Sequence, residues 1–71
     1  NAKDAAKYLQ RCVELDKKNS EAHRMLAGVL ASDNRFAEAV KSAQTACELA
    51  PDNKACKDTL QKIKTAEATS K

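Results

Sequence analysis

An eight-residue segment of this chain returns in altered form 34 positions later. Cys12-Val13-Glu14-Leu15-Asp16-Lys17-Lys18-Asn19 aligns with Ala46-Cys47-Glu48-Leu49-Ala50-Pro51-Asp52-Asn53. At the same offset Ala5 meets Ala39, and Leu26 meets Leu60. A period of this length suits one supersecondary unit that cannot bury its own apolar face and stacks on a neighbour to do so. The intervening stretch, Ser20 to Asn53, reads as that unit. Its apolar and small residues fall at Ala22, Met25, Leu26, Val29 and Leu30, then at Phe36, Ala39, Val40, Ala43, Ala46, Cys47 and Leu49. Both sets step by three and four, the helical period. The polar run Ser32-Asp33-Asn34-Arg35 separates them, with residues that favour turns and helix starts. A helix–turn–helix hairpin follows, closed by Pro51.

Extended to the whole chain, the same spacing predicts four helices and an all-α fold. The first covers 2–16, with Ala5, Ala6, Leu9, Cys12, Val13 and the more peripheral Leu15 along its apolar stripe and Tyr8 at the edge. The second covers about 20–32, with Ser20 able to cap it through its hydroxyl. The third covers about 36–50, with Asn34 or Asp33 expected as its cap and Glu38 in the first turn, where the helix dipole favours an anion. Pro51 stops it, since a proline within a helix removes a hydrogen bond and clashes. Asp52-Asn53 caps a fourth helix at about 53–68, and Thr69 to Lys71 should fray. Gly28, inside the second helix, suggests a place where another backbone comes close. Leu9, Leu26, Leu30, Ala39, Ala46, Pro51 and Leu60 are the expected structural core.

Composition narrows the function classes. With 71 residues the chain is one small domain or part of one, and it buries only about 60 % of its unfolded surface. Apolar residues make up 42 % and charged residues 32 %, which is globular rather than disordered. No apolar run approaches the ~20 residues of a membrane span. The net charge of +3 is spread as both signs along the helices, with no basic block or interleaved aromatics to suggest nucleic acid. Three cysteines, at 12, 47 and 56, fit neither a disulfide framework nor a zinc site. Free thiols used as small core residues are the better reading, and they point to a reducing, intracellular and cytoplasmic setting. His23 has no second His or Cys at ligand spacing, and no nucleophile–base–orienter set is present, so neither metal, cofactor nor catalysis is expected.

On these residues the chain resembles a tetratricopeptide repeat protein. The motif positions are Leu26 and Ala27 in one helix, then Ala39, Ala46 and Pro51 in the next. In this register residues 1–19 look like the second helix of a preceding repeat. Residues 20–53 look like a complete repeat, and 54–71 like a C-terminal capping helix. His23, Leu30 and Ala43 stand where the family often has large aromatics, Ala27 replaces the usual Gly, and Lys17 replaces a terminal proline. The resemblance implies antiparallel hairpins stacked as an α-solenoid with a concave groove. It also implies a non-enzymatic scaffold that binds a partner peptide or helix, co-chaperone-like or an assembly adaptor. Carried over by position, the groove residues are Glu21, Arg24, Met25, Gly28, Ala31 and Ser32, joined by Ala55, Asp58, Thr59 and Lys62.

Some members of the family grip an acidic chaperone C-terminus with basic residues at the second and sixth positions of a repeat. Those positions here are Glu21 and Met25, and Arg24 is one place off. That clamp is therefore not carried over, and a Glu-Glu-Val-Asp terminus is not expected to bind tightly. Two alternatives remain open: a helical repeat that reads RNA, disfavoured by the acid at Glu21, and self-association. The first helix lacks its usual partner, and Ala5, Tyr8 and Leu9 are expected to leave an apolar patch there.

Overall fold

The computed structural model describes residues 1–69; the expected fraying of Ser70 and Lys71 lies outside the described residues. Four helices run in order: α1 (Ala2–Leu15), α2 (Ser20–Ser32), α3 (Phe36–Leu49) and α4 (Lys54–Thr69). Among the described residues there is no strand. Helix α2 is the hub, packing against α1, α3 and α4, while α3 also packs on α4. The core joins all four: Ala6 and Leu9 from α1, Leu26, Ala27 and Leu30 from α2, Ala39 and Ala43 from α3, and Ile63 from α4. Val13, Val29, Ala31, Phe36, Val40 and Leu60 pack partly buried around it. Most of the fully buried residues are alanines, and this is physically telling. Small side chains at the crossings let helix axes come close, so the few large ones carry most of the apolar burial.

The repeat seen in the sequence is repeated in backbone geometry. After α1, the Asp16 amide bonds back to the Cys12 carbonyl at 3.0 Å, and the Asn19 amide donates to the Asp16 carbonyl at 3.1 Å. After α3, Ala50 bonds to the Ala46 carbonyl and Asn53 to the Ala50 carbonyl, both at 3.0 Å. Asp16 (φ −139°, ψ 83°) and Ala50 (φ −137°, ψ 72°) adopt almost the same conformation. In each turn the closing asparagine then caps the next helix. Asn19 Oδ1 accepts from the Ala22 amide at 3.1 Å, and Asn53 Oδ1 from the Ala55 amide at 2.8 Å. One turn, used twice at the same spacing, directs α2 and α4 in the same way.

This geometry corrects the expected caps. Asn19, not Ser20, caps α2, because an N-cap needs extended backbone and Asn19 has it (φ −81°, ψ 95°) while Ser20 is already helical. Neither Asp33 nor Asn34 caps α3, whose N-cap position is Arg35 with no side-chain cap bond. Asn34 instead ends α2. It sits in the left-handed region at φ 61°. Its amide donates to the Ala31 carbonyl at 3.0 Å, and the Arg35 amide to the Leu30 carbonyl at 2.8 Å. These two bonds form the Schellman pattern, which asparagine tolerates better than other non-glycine residues. Arg35 then pairs with Glu38 in the first turn of α3. An unforeseen cap, Asn1 Oδ1 accepting from the Asp4 amide at 3.1 Å, starts α1.

Two core expectations also change, and so does the apolar patch expected on α1. Pro51 is exposed at the tip between α3 and α4, where it ends α3 through its backbone and contributes no burial. Leu60 is half-buried, and Ile63, one turn on, is the α4 residue sealed into the core. On α1, Leu9 is buried in the shared core rather than left in an apolar patch. The uncovered apolar surface belongs to Tyr8 and Leu15, 70 % and 83 % exposed.

Gly28 is corrected as well. It is exposed, and a Cβ placed on it would meet nothing within 4 Å, so no helix crosses closely there. The residue weakens α2 without relieving any crowding. Gly28→Ala is therefore expected to raise stability by about 0.5–1 kcal/mol, read as a higher urea midpoint with an unchanged m-value.

Candidate functional site

Helical geometry divides α2 into two sides. Ala22, Leu26, Ala27 and Leu30 are buried. Glu21, Met25, Gly28 and Ser32 are exposed on the opposite side, with Arg24 and Ala31 half-buried at its margin. At about 100° per residue these six positions fall on one continuous strip. Met25 is the apolar element of the strip, 48 % exposed. Beside it, Gly28 leaves bare backbone facing open space. The Ser32 hydroxyl does not reach outward; it donates to the Gly28 carbonyl at 3.1 Å.

Arg24 is held along the helix by Glu21, its ion-pair partner one turn earlier. A pair of this kind on a surface contributes only a few tenths of a kcal/mol. Its consequence here is directional: Glu21 neutralises the cation that a carboxylate ligand would seek. The Arg24 Nε lies buried without a hydrogen-bond partner, while the tip of the same guanidinium pairs with Glu21.

Helix α4 packs beside α2. Its inward seam is Cys56 and Ile63, with Leu60 half-buried between them. Ala55, Asp58 and Lys62 are exposed, and Thr59 is half-buried. Ala55, Thr59 and Lys62 fall on one flank of the seam. Asp58 is rotated about 200° from Cys56 and stands on the outer side of the helix. The α2 strip and the Ala55–Thr59–Lys62 flank thus belong to the two helices that run side by side, with Asp58 about 40° beyond Lys62 at the outer edge of that flank. Burial pushes the Cys56 thiol above its ordinary value; the neighbouring Cys47 adds to this and the Arg24 guanidinium opposes it. Arg24 and Cys56 therefore share the α2–α4 boundary.

The most evident hollows lie elsewhere. One, of about 460 Å³, opens between α1 and α3 over His23 and Leu26, walled by Gln10, Glu14, Lys41, Gln44 and Glu48. Another, of about 470 Å³, is bounded by Asn1, Lys3, Asp4, Lys7, Asp33 and Arg35. Both are open; the second is mainly polar, while the first mixes polar walls with Val13 and Leu26. The α2–α4 side differs from them in presenting an exposed Met and a bare glycine on a firmly packed helix. That combination suits a chain laid across it rather than a small molecule enclosed by it.

His23, which stands where large aromatics are common in the resembling family, is half-buried. Its Nε2–H donates to the Lys17 carbonyl at 3.1 Å, fastening α2 to the turn after α1. Among the described residues no three His, Cys, Asp or Glu side chains converge as a metal site. No helix of the described residues is long and apolar enough to cross a membrane.

Sequence reasoning missed one proximity: across the α3–α4 hairpin Cys47 lies near enough to Cys56 to add to the rise of its pKa. The signal was available in their equal distances from its tip.

No curated protein matches this chain, and no solved structure does. The family model of the tetratricopeptide repeat matches residues 1–63. That span takes in α1 to α3 and the buried part of α4 through Ile63, so the twice-used turn and both of its cap asparagines lie inside it. The chain belongs to the tetratricopeptide repeat family, whose repeats generally serve as protein–protein interaction modules.

Proposed function

We propose that this chain is a non-enzymatic scaffold whose α2–α4 side receives an extended segment or helix of a protein partner, as an assembly adaptor or co-chaperone-like module. In this reading α2 and α3 are one complete repeat, α1 is the second helix of the repeat before it, and α4 is the helix that caps the stack. The free thiols favour a reducing, cytoplasmic setting for it. The observation that carries the proposal is Met25 exposed next to Gly28, where a Cβ would meet nothing within 4 Å. A soft apolar side chain adapts to varied partners, and a missing Cβ lets another backbone approach. Lys62 and the Glu21–Arg24 pair supply charges of both signs at the margins, which set register more than affinity. Asp58, on the outer side of α4, takes part only if the partner wraps round that helix.

The test uses peptides selected from a random library displayed against the intact protein. Gly28→Leu is the informative variant. It places a bulky side chain in the strip while replacing a poor helix former by a good one, so folding is held or improved as binding is blocked. Selected peptides are expected to bind Gly28→Leu and Met25→Lys at least about tenfold more weakly, a loss of roughly 1.4 kcal/mol. Lys64→Ala, exposed on the flank of α4 opposite Thr59 and Lys62, should leave binding unchanged. Equal binding to all variants contradicts the proposal.

A second surface favours the alternative of self-association. Tyr8 and Leu15 align on the outer side of α1 and are the most exposed large apolar residues of the chain. In a longer solenoid an adjacent helix would cover them. Sedimentation of the protein and of Leu15→Glu across a concentration series separates the readings. A dimer abolished by Leu15→Glu, with peptide binding lost in parallel, would make self-association the main role.

A further inference from the structure

Cys47 lies four residues before Pro51, and Cys56 four residues after Asp52, so the two stand at equal distances from the tip of the α3–α4 hairpin. In an antiparallel helix pair joined by a short turn, such positions lie abreast. The turn is tight: Ala50 bonds to Ala46 and Asn53 to Ala50. The helices it joins are packed together. Cys56 is 1 % exposed, whereas Cys47 is half-buried and reachable from solvent. Both thiols are free, and Cys47 is near enough to Cys56 to help raise its pKa. Cys12, by contrast, is on α1, a helix that packs on neither α3 nor α4.

We propose that Cys47 and Cys56 are a redox-sensitive pair that closes to a disulfide and staples α4 to α3. The oxidant is a small-molecule disulfide of the glutathione class. Cys47, the accessible member, gives its proton to solvent, and its thiolate attacks one sulfur of the oxidant. The S–S bond of the oxidant breaks, one small thiolate leaves, and a mixed disulfide forms on Cys47. Cys56 then loses its proton and attacks the Cys47 sulfur, expelling the second small thiolate. Two protein thiols are oxidised and one small disulfide is reduced; the two protons lost by Cys47 and Cys56 are taken up, through solvent, by the two small thiolates, which leave as thiols. The buried Cys56 holds its proton more tightly than an ordinary thiol, so the second step limits closure at neutral pH and accelerates as pH rises.

The staple matters because α4 is lightly anchored. Cys56 and Ile63 are its buried residues, and the link would fix its first turns beside α3 at the cost of one covalent bond. The inference rests on the α3–α4 seam alone and is independent of what the α2–α4 strip binds.

The reduced protein is equilibrated with mixtures of oxidised and reduced glutathione, alkylated, and digested with trypsin, which cuts after Lys54. The expected product is peptide 42–54 joined to peptide 55–57 through one disulfide. It should form in the parent chain and in Cys12→Ser, and be absent from Cys47→Ser, whose substitution is at the half-buried position and leaves folding intact. Oxidised Cys12→Ser should melt roughly 5–15 °C above its reduced form. Its closure rate should go on rising with pH past the point at which an ordinary thiol has ionised, because burial and the neighbouring Cys47 and Glu21 hold the Cys56 proton and Arg24 only partly opposes them. Persistence of a glutathione adduct on Cys47, linkage only between two chains through Cys12, or a closed pair with unchanged melting temperature would each overturn the proposal.

Discussion

Leu30→Ala is expected to leave this chain largely unfolded at physiological temperature. Leu30 is 1 % exposed and one of the two largest fully buried side chains. It sits on the hub helix, in a core fed by all four helices. Truncating such a leucine costs about 2–5 kcal/mol through lost transfer energy and the cavity left behind. The spread reflects how far neighbours relax, and here they relax little. The neighbouring buried residues are mostly alanines, already at the limit of close approach and without side chains long enough to fill the space. A chain of 71 residues has only about 4–11 kcal/mol of stability in total. The expected result is a fall in melting temperature of more than about 10 °C, followed by circular dichroism at 222 nm. Lys64→Ala, at an exposed position, should change stability by less than about 0.5 kcal/mol.

Ala39→Leu probes the same core from the opposite side and is expected to damage it in a different way. Ala39 has no exposed surface and packs in the cluster with Leu26, Ala27 and Leu30 of α2. A leucine there has no void to enter, so α2 and α3 must separate or side chains must leave their rotamers. Overpacking of this kind costs about 1–3 kcal/mol, and more where backbone must move. The cost should also spread, because α2 is packed against α1 and α4. Native-state hydrogen exchange is the informative measurement. Protection should fall together in α2 and α3, with α1 and α4 following. Loss confined to α3 would mean that α2 and α3 are not a single cooperative unit.

Helix number, helix ends within about one residue and the two-turn repeat were legible in the sequence because they depend on periodicity and on backbone-directed residues. The errors fall where two neighbouring residues could do the same job. Asn19 and Ser20 are both good caps, and the choice depends on which of them has extended backbone. Asn34 can cap a following helix or end a preceding one, and its left-handed conformation decides for the latter. Gly28 and Pro51 show a second limit. Both were read as structural, yet Gly28 faces open space and Pro51 stands at an exposed tip. A sequence states that a residue lacks a Cβ or cannot continue a helix. It does not state what lies opposite, which is set by the crossing of elements distant along the chain. The nearness of Cys47 and Cys56 was within reach of the sequence, since the turn at Pro51 to Asn53 was legible and the two lie equally far from it, but which faces of α3 and α4 meet was not. Of the positions read as a binding face, Glu21, Arg24, Met25, Gly28 and Ser32 follow from the register of one helix. Lys62 and Asp58 depend on how α4 is rotated against α2, which apolar spacing constrains only loosely.

In the proposed function the strip formed by α2 and the adjacent flank of α4 is the side that meets a partner. Backbone amide shift mapping with a library-selected peptide, titrated into the isotope-labelled protein, tests this directly. The expected result is a contiguous set of perturbed amides at Glu21, Arg24, Met25, Gly28 and Ser32, continuing to Thr59 and Lys62. Perturbations gathered instead at Gln10, Glu14, Lys41, Gln44 and Glu48, around the hollow between α1 and α3, would place recognition on the opposite side of α2 and contradict it.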